Sequence, residues 1–327
     1  MKRFSNILLV ADAAMENSVA LRRAIDLAEV NQAALTIVGV VAEVPAKLGM
    51  AVVAMPYSEL AEIVVSEKRL ALDQMTSAAK DRRVQVTTEV LVGKPFLEIV
   101  RKVLQDNHDL VIKSVDPKAS WRKALFGSTD MHLMRKCPCP VWILKEDEKP
   151  SYECIVAAVD NNPESDATEA LNRQILELSM SLAIAESSEL HIVHAWQLQF
   201  ESYLRSHRAA VDDAEIDAMV ADERAARMRW LENLVATYST AGNKDAVDYL
   251  KPGLHVIKGD ARHIVPAKAA TLGADVVVMG TVARTGVAGF IMGNTAESIL
   301  TQLECSVLTV KPPGFTSPVT VKASKTG

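Results

Sequence analysis

The stretch VVVMGTVARTGVAGFIMGNTAESI, residues 276–299, sets out a buried strand, a glycine-dotted loop and a helix start in that order. The run Val276–Met279 is apolar throughout, as a parallel strand covered on both faces must be. Gly280 closes it, and a glycine there lets backbone approach a ligand closely. Gly286 and Gly289 permit positive φ in a turn that could wrap a phosphate. Asn294 and Thr295 would then stand at a helix N-terminus, whose free N–H groups and dipole favour anions. Asn294-x-x-Glu297 also matches a near capping box, which accounts for Asn294 without any ligand.

The same pattern occurs once earlier in the chain. DLVIK begins at Asp109 and DVVVM at Asp275, an offset of 275 − 109 = 166. Gly93 with Gly259, Gly127-Ser128-Thr129 with Gly293-Asn294-Thr295, and Cys139 with Cys305 keep that offset of 166. NILLVAD, ending at Asp12, matches CIVAAVD, ending at Asp160, at an offset of 148, so the second copy carries 166 − 148 = 18 extra residues upstream of Gly259. A unit of roughly 150 residues is a duplicated domain, since solenoid repeats recur at about 20–50. The expected division is residues 1–147, residues 152–312 and a tail of 313–327, with EDEKPS at 146–151 as the linker.

Within each copy, short Val/Ile/Leu runs alternate with helical patterns. In the first, ILLVA, LTIVGVV, VQVTTEVLVG, LVIKSV and PVWILK are the strands; in the second, IVAAVD, LHIVHAW, HVIKGD, DVVVMG and SVLTVK. This alternation predicts α/β architecture, two tandem doubly wound parallel sheets of five strands each. The closing strands PVWILK and SVLTVK are the expected surface through which the two copies pair as an intrachain pseudo-dimer. Ligands of such folds bind beyond the carboxyl ends of the strands.

Composition limits the function. With 49% hydrophobic and 24% charged residues the 327-residue chain is expected to be a globular protein with a substantial core. Its net charge of −5 argues against a nucleic-acid partner. No apolar run approaches the ~20 residues of a membrane span. The start imitates an export signal, but Asp12 cuts its apolar stretch short of the ~7–15 residues such a signal needs. Four cysteines without a disulfide framework fit a reducing, cytoplasmic setting.

Strand ends hold the candidate ligand groups. Asp12 and Asp160 close the first strand of each copy, where a carboxylate can accept from a ribose or an adenine amine; a helix cap or turn is the competing explanation. Gly93-Lys94-Pro95 and Gly259-Asp260-Ala261 follow the third strands, and proline at a first helical position and aspartate as a cap explain them locally. Arg284 could reach a phosphate, with a simply solvated loop arginine as the competing explanation.

VMGTVARTG, GNTAESIL and CSVLTVKP together resemble the closing segment of the universal stress protein family, in its tandem two-domain form, and GSTDMHLMRKCPCPVWILK resembles the matching first-domain segment. The resemblance covers residues 1–312 and implies nucleotide-binding-type α/β domains. Some members bind ATP through glycine, two residues, glycine, nine residues, then glycine and serine or threonine. Carried over, that pattern falls on Gly280, Ala283, Gly293 and Asn294, with Thr295 beside them; Asp160, Ala195 and Met279 take the adenine side. Ala283 and Asn294 depart from the pattern. The first copy has Ser114, Pro117, Gly127 and Ser128 in this register, with Trp121 in the loop. It is therefore expected to have lost phosphate binding, and ATP or another adenine nucleotide is expected, if anywhere, in the second copy.

Other constellations are plainer. Cys137 and Cys139 stand too close for a zinc clip, and His191, His194 and His207 form neither a ligand set nor a triad. No nucleophile stands beside a base, so the chain is expected to be a stress-response sensor or scaffold, with slow ATP hydrolysis as an alternative. The apolar stretch VPAKLGMAVVAMPY, 44–57, is read as packing across the partner domain, with a lid over an apolar or amphipathic metabolite as the alternative. The copies already pair within one chain, and a homo-oligomer remains open.

Overall fold

The computed structural model describes residues 4–11, 18–43, 57–79, 82–115, 126–145, 149–162, 165–206, 211–281 and 292–321. Asp12, most of the 44–57 stretch, Pro117, Trp121, residues 146–148, His207, Ala283, Arg284, Gly286 and Gly289 lie outside them.

The first copy runs β1 (Asn6–Val10), α1 (Val19–Asn31), β2 (Ala34–Val41), α2 (Tyr57–Met75), β3 (Val86–Val92), α3 (Pro95–Asp106), β4 (Leu110–Ser114), α4 (Ser128–Lys136) and β5 (Val141–Leu144). The second runs β6 (Cys154–Ala158), α5 (Asp166–Glu186), β7 (Glu189–Trp196), α6 (Glu201–Leu204), α7 (Asp213–Tyr238), α8 (Lys244–Leu250), β8 (Gly253–Lys258), α9 (Ala261–Leu272), β9 (Val276–Gly280), α10 (Asn294–Leu300) and β10 (Ser306–Val310).

The described residues fall into two compact units. One takes those of 4–150 with Thr281, Met292 and 306–321; the other takes those of 151–280 and 293–305. In the first unit β3-β2-β1-β4-β5 form the expected five-stranded parallel sheet. β10 extends it, pairing antiparallel to β5 with Val307 opposite Ile143. In the second unit β9-β6-β7-β8 are parallel. The closing strands do pair with each other, as expected. The second copy's closing strand, β10, groups with the first unit. The reason lies at the edge of β5: its residues VWIL are all buried, and an apolar edge strand left unpaired invites aggregation. All five residues of β10 are buried in return.

Local chemistry sets the element ends. Ser18, Ser165 and Asp260 cap α1, α5 and α9 by accepting from the N–H of Leu21, Thr168 and Arg262. Pro95 opens α3 where its missing N–H is no loss. The repeated aspartates explain the repeat: Asp109 accepts from the N–H groups of Ser5 (2.7 Å) and Asn6 (3.1 Å), tying β4 to β1. Asp275 does the same to Glu153 (2.7 Å) and Cys154 (3.0 Å), tying β9 to β6.

The second copy's extra residues also have a place. α5 has 21 residues against 13 in α1, and α7 has 26 against 19 in α2, so much of the excess lengthens two helices. Both connect strands stepping the same way across the sheet, and right-handed crossovers therefore put them on one face. α9 returns the chain to β9 across the opposite face.

Candidate functional site

The chain leaves β6 toward β7 and comes back to β9 on β6's other side, so the crevice between β6 and β9 is the switch point of the second unit. Ala158 stands in register with Met279 on one side and Val193 on the other. Asp160, Ala195, Met279 and Gly280 therefore gather at the carboxyl edge of three adjacent strands. Asp160 is half-buried there, with its backbone fixed by Asn172. The Asp160 N–H donates to Asn172 Oδ1 at 3.1 Å and Asn172 Nδ2 donates to the Asp160 carbonyl at 2.6 Å. The cap of α5 is Ser165, so the cap alternative for Asp160 falls away. Asn172, itself buried, was not singled out from the sequence, although an amide beside Leu171, Ile175 and Leu176 is a detectable break in an apolar face.

Gly280 has a second explanation. A Cβ built on it would come within 2.5 Å of Leu171 Cδ2, so α5 packs against the space its missing side chain leaves. Across the crevice, Gly293 is the N-cap of α10 with an extended backbone (φ −65°, ψ 138°). Asn294 is consequently the first helical residue and not the cap, and the capping box expected from Asn294-x-x-Glu297 does not form. Asn294 and Thr295 are both exposed at the mouth. Ala283, between these halves of the pattern, lies outside the described residues.

The first copy has its own charges in the corresponding place. Lys113 and Asp130 occupy the register positions of Met279 and Ala296. Lys113 Nζ lies 3.0 Å from Asp130 Oδ1, and both side chains are buried. Asp130 Oδ2 accepts the Gly127 N–H at 2.9 Å, so a carboxylate of the protein already sits on the N-terminal turn of α4. The sequence pattern pointed to Ser114 and Pro117 instead. The offset of 166, applied to charged residues, would have exposed this pair.

The remaining candidates are structural. His194 is buried with Nδ1 3.3 Å from the Val159 carbonyl and its ring 4.8 Å from that of Trp230. Cys137 and Cys139 are buried with Sγ atoms 3.5 Å apart; the hydrogen bond with Cys137, and then burial, push the Cys139 thiol pKa up, so it stays protonated. Among the described residues no group of three His, Cys, Asp or Glu side chains is placed to hold a metal, and no helix is long and apolar enough to cross a membrane.

Fold and duplication define a tandem, doubly wound α/β protein. The model of the Universal stress protein family matches residues 3–145 and again 151–311, and the chain belongs to that family. It is similar to Universal stress protein E of Photorhabdus laumondii, 25% identical over 99% of this chain and 100% of that one. The protein of the same name from Escherichia coli K12 is 27% identical over 98% of each chain. Among solved structures, a functionally unknown protein from Pseudomonas aeruginosa PAO1 superposes with a TM-score of 0.61 at 25% identity, covering 94% of this chain and 93% of that one. A universal stress protein from Archaeoglobus fulgidus gives 0.60 at 18% identity over 94% and 98%, which is a likeness of fold.

Proposed function

We propose that this stress-response protein takes an adenine nucleotide, ATP foremost, in the strand-end crevice of its second copy. It acts there as a sensor or scaffold and not through a reaction of its own. Asp160, Ala195 and Met279 would face the base and ribose; Gly280, Ala283, Gly293, Asn294 and Thr295 would face the phosphates. The observation that carries this reading is the asymmetry of the copies. In the first, Asp130 supplies an anion to the helix start and Lys113 balances it. In the second, alanine and methionine stand at those positions, and the helix N-cap has no side-chain hydrogen bond. Four free, buried cysteines support a reducing compartment such as the cytoplasm.

Mass spectrometry of small molecules released from the purified protein tests the reading. An adenine nucleotide at up to one per chain is the expected result. Copurifying lipid without nucleotide would replace it with an apolar-metabolite binder.

A further inference from the structure

Cys137 and Cys139 lie in the short connection from α4 to β5, on either side of Pro138. Cys137 is the C-cap of α4 with an extended backbone (φ −70°, ψ 133°), and the chain bends at Pro138 and Cys139. The bend brings the two side chains together, with Sγ atoms 3.5 Å apart, the contact distance of two thiols. Closing that gap to the roughly 2.05 Å of a disulfide moves each sulfur by about 0.7 Å.

Packing alone does not call for this pair. The offset of 166 puts Cys139 on Cys305 but Cys137 on Leu303, which is buried at the same place in the second copy. An apolar side chain serves that position there, and the second thiol is a feature of the first copy. The pair is also shallow. Cys137 has no exposed surface and Cys139 keeps 8%, between the half-buried Arg135, Lys136 and Pro138. An oxidant therefore meets Cys139 first, and Cys137 needs no access of its own, since the sulfur it would bond is already in contact with it. Lys311 donates to the Met134 and Arg135 carbonyls, which sets an amine against the negative end of α4 and makes it an electrostatic neighbour of Cys137.

We propose that Cys137 and Cys139 form a reversible disulfide when a hydroperoxide reaches the protein, an oxidant-responsive site separate from the nucleotide crevice. Cys139 Sγ, once deprotonated, attacks the peroxide. The O–O bond breaks, one oxygen stays on sulfur as a sulfenic acid, and the other leaves as water or an alcohol carrying the proton. Cys137 Sγ then attacks Cys139 Sγ, the S–O bond breaks, and the hydroxide leaves as water with the Cys137 proton. The two thiols have lost two electrons and the peroxide has gained them. A second thiol in contact spares Cys139 the irreversible steps of further oxidation. A transient disulfide is also the form such bonds take in a reducing compartment. The hydrogen bond with Cys137, then burial, and then the charges of Cys137 and Asp109 hold the Cys139 thiol pKa up. The resting pair consequently stays reduced, and the first step is slow at neutral pH.

The test treats the native full chain with hydrogen peroxide, removes the peroxide with catalase, then denatures, alkylates with iodoacetamide, digests with trypsin and weighs the peptides. No nucleotide is added, so the result is independent of the nucleotide reading. Peptide 137–145, CPCPVWILK, holds both cysteines. It is expected to be unalkylated and lighter by two hydrogens, and to become doubly alkylated when dithiothreitol precedes the alkylation. Cys154 and Cys305, buried in the other unit, should still be alkylated, which separates reaction of the folded protein from unfolding. The rate should rise about tenfold from pH 7 to pH 8 as Cys139 ionises. Cys137→Ala should let Cys139 run on to sulfinic acid, and Cys139→Ala should leave Cys137 unoxidised. Peptide 137–145 fully alkylated after peroxide, a disulfide to Cys154 or Cys305 in its place, oxidation of all four cysteines at one rate, or unslowed oxidation of Cys137 in Cys139→Ala would overturn the proposal.

Discussion

Lys113 Nζ and Asp130 Oδ1 lie 3.0 Å apart as a buried ion pair in the first copy, where the second has Met279 and Ala296. A duplicated fold has thus kept two solutions to one problem, the unsatisfied N–H groups at the helix after the fourth strand. One copy carries its own anion; the other leaves the place to apolar residues and, in our account, to a ligand.

Breaking that pair should be costly. Asp130→Ala strands a buried ammonium and removes the acceptor of the Gly127 N–H, for an expected loss of about 3–5 kcal/mol in urea unfolding. Adding Lys113→Met should recover most of it, because the double variant reproduces the second copy. A double variant no better than the single one would show that the pair is not the source of the loss.

The glycines should separate by conformation. Gly259 has φ +147°, a region closed to side chains, and a Cβ there would also meet Ile264 at 2.8 Å. Gly259→Ala should therefore cost about 1–3 kcal/mol. At Gly280 only the branch end of Leu171 is close, and it can turn aside. Gly280→Ala should then cost about 1 kcal/mol or less, with Leu171→Ala in the same chain removing the clash. Equal losses at both positions in thermal unfolding would contradict this distinction.

Lys311 should make stability rise with pH. It is buried at the end of β10, donating to the Met134 carbonyl at 2.6 Å and to Thr281 Oγ1. Burial lowers its pKa from 10.5 to about 7, the neighbouring Cys137 opposing this and Arg135 adding to it. Below pH 7 the amine is charged in both states and the folded protein bears the full cost of burying it. Between about 7 and 10.5 the unfolded chain binds the extra proton, so folding is relieved progressively as pH rises. Unfolding free energies of the unmodified chain and of Lys311→Met, compared at pH 6 and pH 9, should differ by an amount that moves in favour of lysine at pH 9. A constant difference would mean that Lys311 titrates normally.

Much of the fold was legible because the duplication is written in residues with local jobs. Asp109 and Asp275 recur because each clamps the start of its first strand, and Gly93 and Gly259 because each needs a positive φ. What escaped depends on long-range choices that carry no local signature. The pairing of β10 with β5 was expected of the closing strands, but nothing in SVLTVK fixes its antiparallel register. Leu171 beside Gly280 and Asn172 beneath Asp160 arise from how α5 lies on the sheet. Asp160 and Gly280 were singled out as strand-end residues and Ala195 and Met279 by the family resemblance, and all four stand at the carboxyl edge of the sheet.

The central claim is that the second copy keeps a nucleotide site, and titration of labelled ATP into the unmodified chain, Ala283→Gly and Gly293→Val tests it most directly. Gly293 has an extended backbone, so valine does not strain the helix entrance and acts by crowding the crevice. The account predicts one site per chain in the unmodified protein. Binding should strengthen several-fold in Ala283→Gly, the return on relieving about 1 kcal/mol of side-chain hindrance, and disappear in Gly293→Val with the circular dichroism unchanged. ATP that binds the unmodified chain and Gly293→Val alike, or binds none of the three, would contradict it and leave the crevice as inherited architecture.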